Sequence, residues 1–70
     1  MIYVGLTDDP VRRWSEHGEP TDWRELEFSS ERDARAWEAT QLAKAGIRGG
    51  PGGEGWRFGY WYTITPSTME

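Results

Sequence analysis

Residues 56–64, Trp56-Arg57-Phe58-Gly59-Tyr60-Trp61-Tyr62-Thr63-Ile64, form the strongest strand signal in the chain. Aromatic and β-branched side chains favour a pleated, half-buried surface. In an extended segment one face carries Trp56, Phe58, Tyr60, Tyr62 and Ile64. Pro66 is expected to end the strand. The whole chain holds 70 residues, so it makes one domain, residues 1–70, with little core to spend. Five tryptophans, three tyrosines and two phenylalanines offset this, because each ring buries a large area. Most of these rings are expected in the core, and a second copy of the chain would help so small a domain.

The remaining segments follow from periodicity and caps. Residues 1–5 form a short strand with Tyr3 on the face opposite Ile2 and Val4. Asp9 suits an N-cap and Pro10 the first helical position, so a helix runs to about His17, where Gly18 closes it. Val11 and Trp14 mark its apolar side. Trp23 to Phe28 alternates, with Leu26 and Phe28 facing inward and Glu25 and Glu27 in solvent. Ser30 with Asp33 resembles a capping box opening a second helix, from about Glu31 to Ala45, with Ala34, Trp37, Gln41, Leu42 and Ala45 as its inward stripe. Residues 46–55 hold six glycines around Pro51 and form a connecting loop. That loop lacks the Lys and Ser/Thr of a phosphate-binding P-loop. The expected fold is α+β: a small three-stranded antiparallel sheet packed with two helices, in the order strand-helix-strand-helix-strand.

Composition narrows the function. There is no cysteine, which excludes disulfides and thiolate metal sites and is compatible with the cytoplasm. No apolar run approaches the roughly 20 residues that span a membrane, so no membrane partner is expected. The net charge of −4 argues against a general nucleic-acid coat. It leaves room for a local site, because seven of the eight basic residues are arginine, which grips phosphate in a bidentate way. Arg12 and Arg13 are adjacent.

Four features bear on chemistry. Arg13 and His17 lie four apart on one helix face, where they could hold a phosphate and handle a proton. The plainer alternative pairs Arg13 with Glu16 and leaves His17 near the helix C-terminus. Glu38 falls on the stripe expected to be buried, where a carboxylate needs a partner or a metal; pairing with Arg35 is the plainer alternative. Tyr3 is either a core tyrosine or a catalytic phenol. Thr7, Asp8 and Asp9 cap a helix start. A single histidine excludes multi-histidine metal sites.

Taken together, Tyr3-Val4-Gly5, Thr7, Asp8-Asp9, and Arg13 followed four residues later by His17 resemble the second half of the GIY-YIG nuclease signature. Phe28-Ser29-Ser30 followed by Ala34 and Glu38 is similar to the family's next strand and its helix with a single glutamate. The resemblance covers residues 1 to about 46. It implies metal-assisted cleavage of phosphodiesters, in DNA in preference to RNA. Glu38 would hold one magnesium or manganese ion. Arg13 would clamp the phosphate, with Gly5, Thr7 and Arg12 also at the substrate. Tyr3 or a second tyrosine would help deprotonate the attacking water, and His17 would assist.

The family begins with a strand bearing G-[IV]-Y, whose tyrosine usually acts as the base, and no such strand precedes Tyr3. The last strand, with Gly59-Tyr60-Trp61-Tyr62, could supply it if the domain is a circular permutation; Tyr62 is the first candidate for the missing tyrosine and Tyr60 the second. The alternative is a catalytically inactive module of the same fold that binds a protein or a nucleic acid. Many members of the family are joined to larger nucleic-acid-binding partners. Convergence of Arg12, Arg13, Arg48 and Arg57 on one face with Glu38 would favour cleavage, and their scatter would favour the binding module.

Overall fold

The computed structural model describes residues 1–49 and 55–64. The elements are β1 (Ile2–Thr7), α1 (Pro10–Glu16), β2 (Arg24–Glu27), α2 (Glu31–Leu42), β3 (Ile47–Arg48) and β4 (Phe58–Thr63). The fold is α+β, as predicted, but the sheet has four strands in the order β2-β4-β1-β3 and is mixed. β4 runs antiparallel to both of its neighbours, β1 and β2. The added strand, β3, runs parallel to β1. It falls in the segment expected to be a plain connector. Residues 50–54 of that loop and Pro66 lie outside the described residues.

The helix ends follow local chemistry. The Asp9 carboxylate accepts the Arg12 N–H at 3.1 Å, Pro10 opens α1, and Gly18 leaves it at φ 86°. Ser30 Oγ accepts the Asp33 N–H at 3.2 Å at the start of α2. This helix stops at Leu42, three residues before the predicted Ala45. There the ladder gives way to tighter bonds, Lys44 N–H to Gln41 O and Ile47 N–H to Lys44 O, and Gly46 turns at φ 80°. The turn delivers the Gly46 carbonyl to the Ile2 N–H at 2.9 Å and lays Ile47 beside Ile2.

The two sheet faces are chemically different. Cross-strand partners share a face. Val4 opposite Trp61 and Leu6 opposite Gly59 define one face, where Trp37 of α2 packs near Phe28 and Trp61. A Cβ on Gly59 would fall 2.5 Å from the Trp37 ring, so glycine lets α2 approach. Tyr3 opposite Tyr62 and Gly5 opposite Tyr60 define the other face. Tyr3, Tyr60, Tyr62 and Ile64 form a buried cluster with Trp23 packed against it. None of the ten aromatic residues is exposed, although only the three tyrosines are fully buried.

Four residues expected on apolar faces are exposed. Leu26 is 45 % exposed, because β2 is an edge strand with all four residues in solvent. Val11 is exposed on the outer side of α1, so Trp14 alone turns inward, and its indole N–H reaches the Pro20 carbonyl at 3.0 Å. Leu42 and Ala45 are exposed, since α2 covers the sheet only through Ala34, Trp37 and Gln41. Two aspartates latch β4 in place. Asp8 Oδ1 accepts the N–H groups of Trp56 and Arg57 at 3.0 and 3.1 Å, and Asp22 Oδ2 accepts that of Thr63 at 3.0 Å. Among the described residues no helix is long and apolar enough to cross a membrane.

Candidate functional site

The tyrosine face of the sheet meets α1 at His17. This residue caps α1, and Gly18 turns the chain away immediately after it, so the imidazole points into the sheet rather than into solvent. It is 5 % exposed. Its Nδ1 lies 2.7 Å from the Tyr62 hydroxyl and its Nε2 lies 3.1 Å from the Tyr60 hydroxyl. A neutral imidazole has one N–H and one lone pair. One phenol therefore donates to the ring while the other accepts from it, and the imidazole links the two hydroxyls into one proton path. The Tyr3 ring packs 5.0 Å from the imidazole and 5.6 Å from the Tyr62 ring.

Tyr60 interacts with charged residues on both helices. The Arg13 guanidinium is close enough to Tyr60 for its charge to act on the hydroxyl. Burial pushes the Tyr60 pKa up. Arg13 opposes that shift, while Tyr3 and the Glu38 carboxylate add to it. Glu38 is half-buried on α2 and thus acts electrostatically on the same phenol as Arg13. The suggested Arg35 partner for Glu38 is taken by Glu31, at 3.3 Å.

A raised pKa means that the folded protein holds the Tyr60 proton more tightly than the unfolded chain does. The stabilisation is complete below the ordinary phenol pKa of 10.0 and is lost as pH rises through the higher folded-state value. Alkaline unfolding followed by circular dichroism is expected to be shallower in Tyr60→Phe than in the parent. Identical profiles would show that Tyr60 carries no such linkage.

Arg13 also borders a cleft of about 300 Å³, lined besides by Thr7, Asp8, Asp9, Arg12 and Glu16; Tyr60 does not line it. Arg13 lies 3.0 Å from Glu16, and Arg12 lies 3.3 Å from the other oxygen of the same carboxylate. The plainer pairing of Arg13 therefore exists alongside its action on Tyr60. These bonds hold the Glu16 pKa below the usual range, Arg13 contributing most. Partial burial alone would lower the Arg13 pKa, but Glu16 and Tyr60 outweigh it and the net shift is upward.

The other predicted site residues take mixed positions. Gly5 lies directly beneath Tyr60, where a Cβ would fall 2.4 Å from the hydroxyl oxygen. Thr7 is buried and its hydroxyl accepts the Asp9 N–H at 3.0 Å, so it shapes the turn at the cleft wall. Arg12 is mostly in solvent. Arg48 is the register partner of Tyr3 and lies on the tyrosine face at the β3 edge. Arg57 is exposed beyond the start of β4, where its backbone is held by Asp8. Thus Arg13 and Arg48 share the tyrosine face, while Arg12 extends outward from the cleft.

Two participants have no motif signal. Trp23 stacks on Tyr60 with centroids 4.4 Å apart and planes at 11°, closing the outer side of the phenol. The alternation of residues 23–28 does place Trp23 on the face of Glu25, opposite Leu26, which could have pointed to it. Asp8 is a latch for β4, a long-range role that no local pattern encodes. Compared with models of known protein families, with curated proteins and with solved structures, the chain gives no match.

Proposed function

We propose that this protein is a divalent-metal-dependent endonuclease of GIY-YIG type that hydrolyses phosphodiester bonds in DNA, with its strands in circularly permuted order. The observation that carries the reading is the meeting of Tyr60, Tyr62, His17 and Arg13 on one sheet face, with the Glu38 carboxylate in electrostatic range of Tyr60. The permuted order is supported by β4, which runs antiparallel beside β1 with Tyr62 opposite Tyr3. The backbones of Met1 and Ile64 are joined by a hydrogen bond of 2.8 Å, so the two strands meet as a hairpin would.

Each residue has a role that its surroundings support. Arg13 borders the cleft and can donate two N–H groups to non-bridging phosphate oxygens, where negative charge grows as water adds to phosphorus. Tyr60 is the phenol on which Arg13 acts, so its oxygen is assigned to take the water's proton. Its raised pKa disfavours a standing phenolate, so as it gains that proton it passes its own to His17 Nε2. Tyr62 holds the opposite nitrogen of His17 and orients the ring. This ordering puts Tyr60 ahead of Tyr62 because Arg13 acts on Tyr60; the two rings are equally buried, each 1 % exposed. Tyr3 packs against both rings and fixes their spacing.

The donor set suits a hard cation. Among the described residues no group of three or more His, Cys, Asp or Glu could enclose a metal. Magnesium needs no such cage, because it binds through one or two carboxylates and fills its other positions with water and substrate oxygens. Glu38 would hold it. Such an ion would supply positive charge to offset the negative charge developing on the scissile phosphate and the leaving oxygen.

Supercoiled plasmid incubated with Mg²⁺ or Mn²⁺ is expected to be nicked by the parent protein. Arg13→Ala and Glu38→Ala are each expected to slow nicking by about a hundredfold or more. No cleavage by the parent at high enzyme concentration, or cleavage that survives both substitutions, would sink the assignment. A second reading, an inactive module that binds protein or nucleic acid, draws on the engagement of Arg13 with Glu16 and on the net charge of −4. Folded parent protein that binds a partner without cleaving DNA would establish it.

A further inference from the structure

Glu16 sits between two arginines at the wall of the cleft. Its two carboxylate oxygens face two different arginines, Oε1 toward Arg13 at 3.0 Å and Oε2 toward Arg12 at 3.3 Å. A non-bridging pair of phosphodiester oxygens would approach the same two guanidinium groups in the same cleft. All three side chains are accessible, Arg13 at 33 %, Glu16 at 43 % and Arg12 at 74 %. The ion pairs are therefore weak and can exchange with solvent or an incoming anion.

We infer that Glu16 is an internal competitor for the phosphate of the nucleic-acid substrate, so that this carboxylate must swing out of the arginine pair before a phosphodiester can enter. The inference rests on the reading of Arg13 as the phosphate clamp. It assigns Glu16 the role of setting affinity rather than rate. A carboxylate that displaces ground-state and transition-state phosphate alike raises KM and leaves kcat unchanged. The geometry also allows Glu16 to be a positioning residue that holds Arg13 for substrate, and the two roles predict opposite signs. Removing a competitor tightens binding, whereas removing a support weakens it.

Binding of a fluorescein-labelled duplex DNA oligonucleotide, followed by anisotropy in EDTA, separates them without requiring cleavage. Glu16→Gln is expected to bind about tenfold more tightly than the parent, given weak exposed pairs and the repulsion it relieves. Glu31→Gln makes the same charge change on α2 and is expected to stay within about twofold of the parent, as suits an exposed charge away from the cleft. Adding Arg13→Ala to Glu16→Gln is expected to abolish the gain. In nicking assays Glu16→Gln should lower KM with kcat retained. Equal or weaker binding by Glu16→Gln, with Arg13→Ala alone weakening binding, would overturn the competitor role while leaving the phosphate clamp standing. An equal gain in Glu31→Gln would overturn it as a net-charge effect. Affinity unchanged by both Arg13→Ala and Glu16→Gln would overturn the clamp and the competitor together.

Discussion

His17→Ala is expected to lower stability by about 3–5 kcal/mol, which is most of what a domain of this length commands. Two buried hydroxyls, on Tyr60 and Tyr62, lose a partner at the same time. A buried polar group deprived of its partner costs about 1–3 kcal/mol. The ring also fills space between Tyr3, Tyr60 and Tyr62, with centroids 5.0 to 5.6 Å away, so its removal opens a cavity among the tyrosines. Against this, 70 residues at the usual 0.05–0.15 kcal/mol each give a total of about 4–10 kcal/mol. Urea denaturation followed by tryptophan fluorescence measures the loss. A second variant identifies its cause. If the lost bonds to the imidazole dominate, His17→Leu with Tyr60→Phe and Tyr62→Phe should be more stable than His17→Leu alone, since no phenol is then deprived of its bond to His17. A loss below about 1 kcal/mol, typical of surface substitutions, would mean that the imidazole is not the centre of the cluster.

The position of His17 also shows where sequence reasoning reaches and where it stops. Asp9, Pro10 and Gly18 mark the ends of α1 because caps and turns are local chemistry. Tyr3, Tyr60 and Tyr62 are assignable to strand faces because alternation is local too. Strand pairing is not local. That β4 enters the centre of the sheet, between β2 and β1, depends on Asp8 and Asp22 catching backbone N–H groups 48, 49 and 41 residues away in sequence. The two-residue strand β3 is hidden in a glycine-rich segment whose composition says only loop. It forms because the Gly46 turn brings its backbone alongside β1, with hardly a side-chain signal. Leu26 and Val11 are misread for a related reason. Alternation and helical period say which residues share a side, but not whether another element covers that side. β2 lies at an edge and the outer side of α1 is open, so both residues stay in solvent. Arg13, His17 and Glu38 are legible as types at a spacing. How His17 comes to link Tyr60 and Tyr62, and Arg13 to act on Tyr60, depends on register, which places Tyr60 opposite the one residue of β1 without a side chain.

That residue is Gly5, and Gly5→Ala is expected to cost about 1–3 kcal/mol through overpacking and to disable the site as well. An added methyl would lie 2.4 Å from the Tyr60 oxygen, 2.5 Å from Cζ and 2.9 Å from Cε2. Relief normally comes from moving the far end of a side chain, but this one has little freedom. Trp23 stacks against the opposite side of the ring at 4.4 Å, and the hydroxyl is held by His17. The backbone is not the reason for glycine here, in contrast to Gly46, whose φ of 80° is the left-handed conformation and whose Cβ would meet nothing. Gly46→Ala is therefore a control for lost glycine alone, at about 1 kcal/mol. A double-mutant cycle tests the steric cause. Tyr60→Ala removes the ring that the new methyl strikes, so adding Gly5→Ala to it should cost much less than adding Gly5→Ala to the parent, giving a coupling of about 1 kcal/mol or more. Additive costs would place the requirement for glycine elsewhere in β1. They would also remove the reason for thinking that Tyr60 is held over the strand at the height that Arg13 needs.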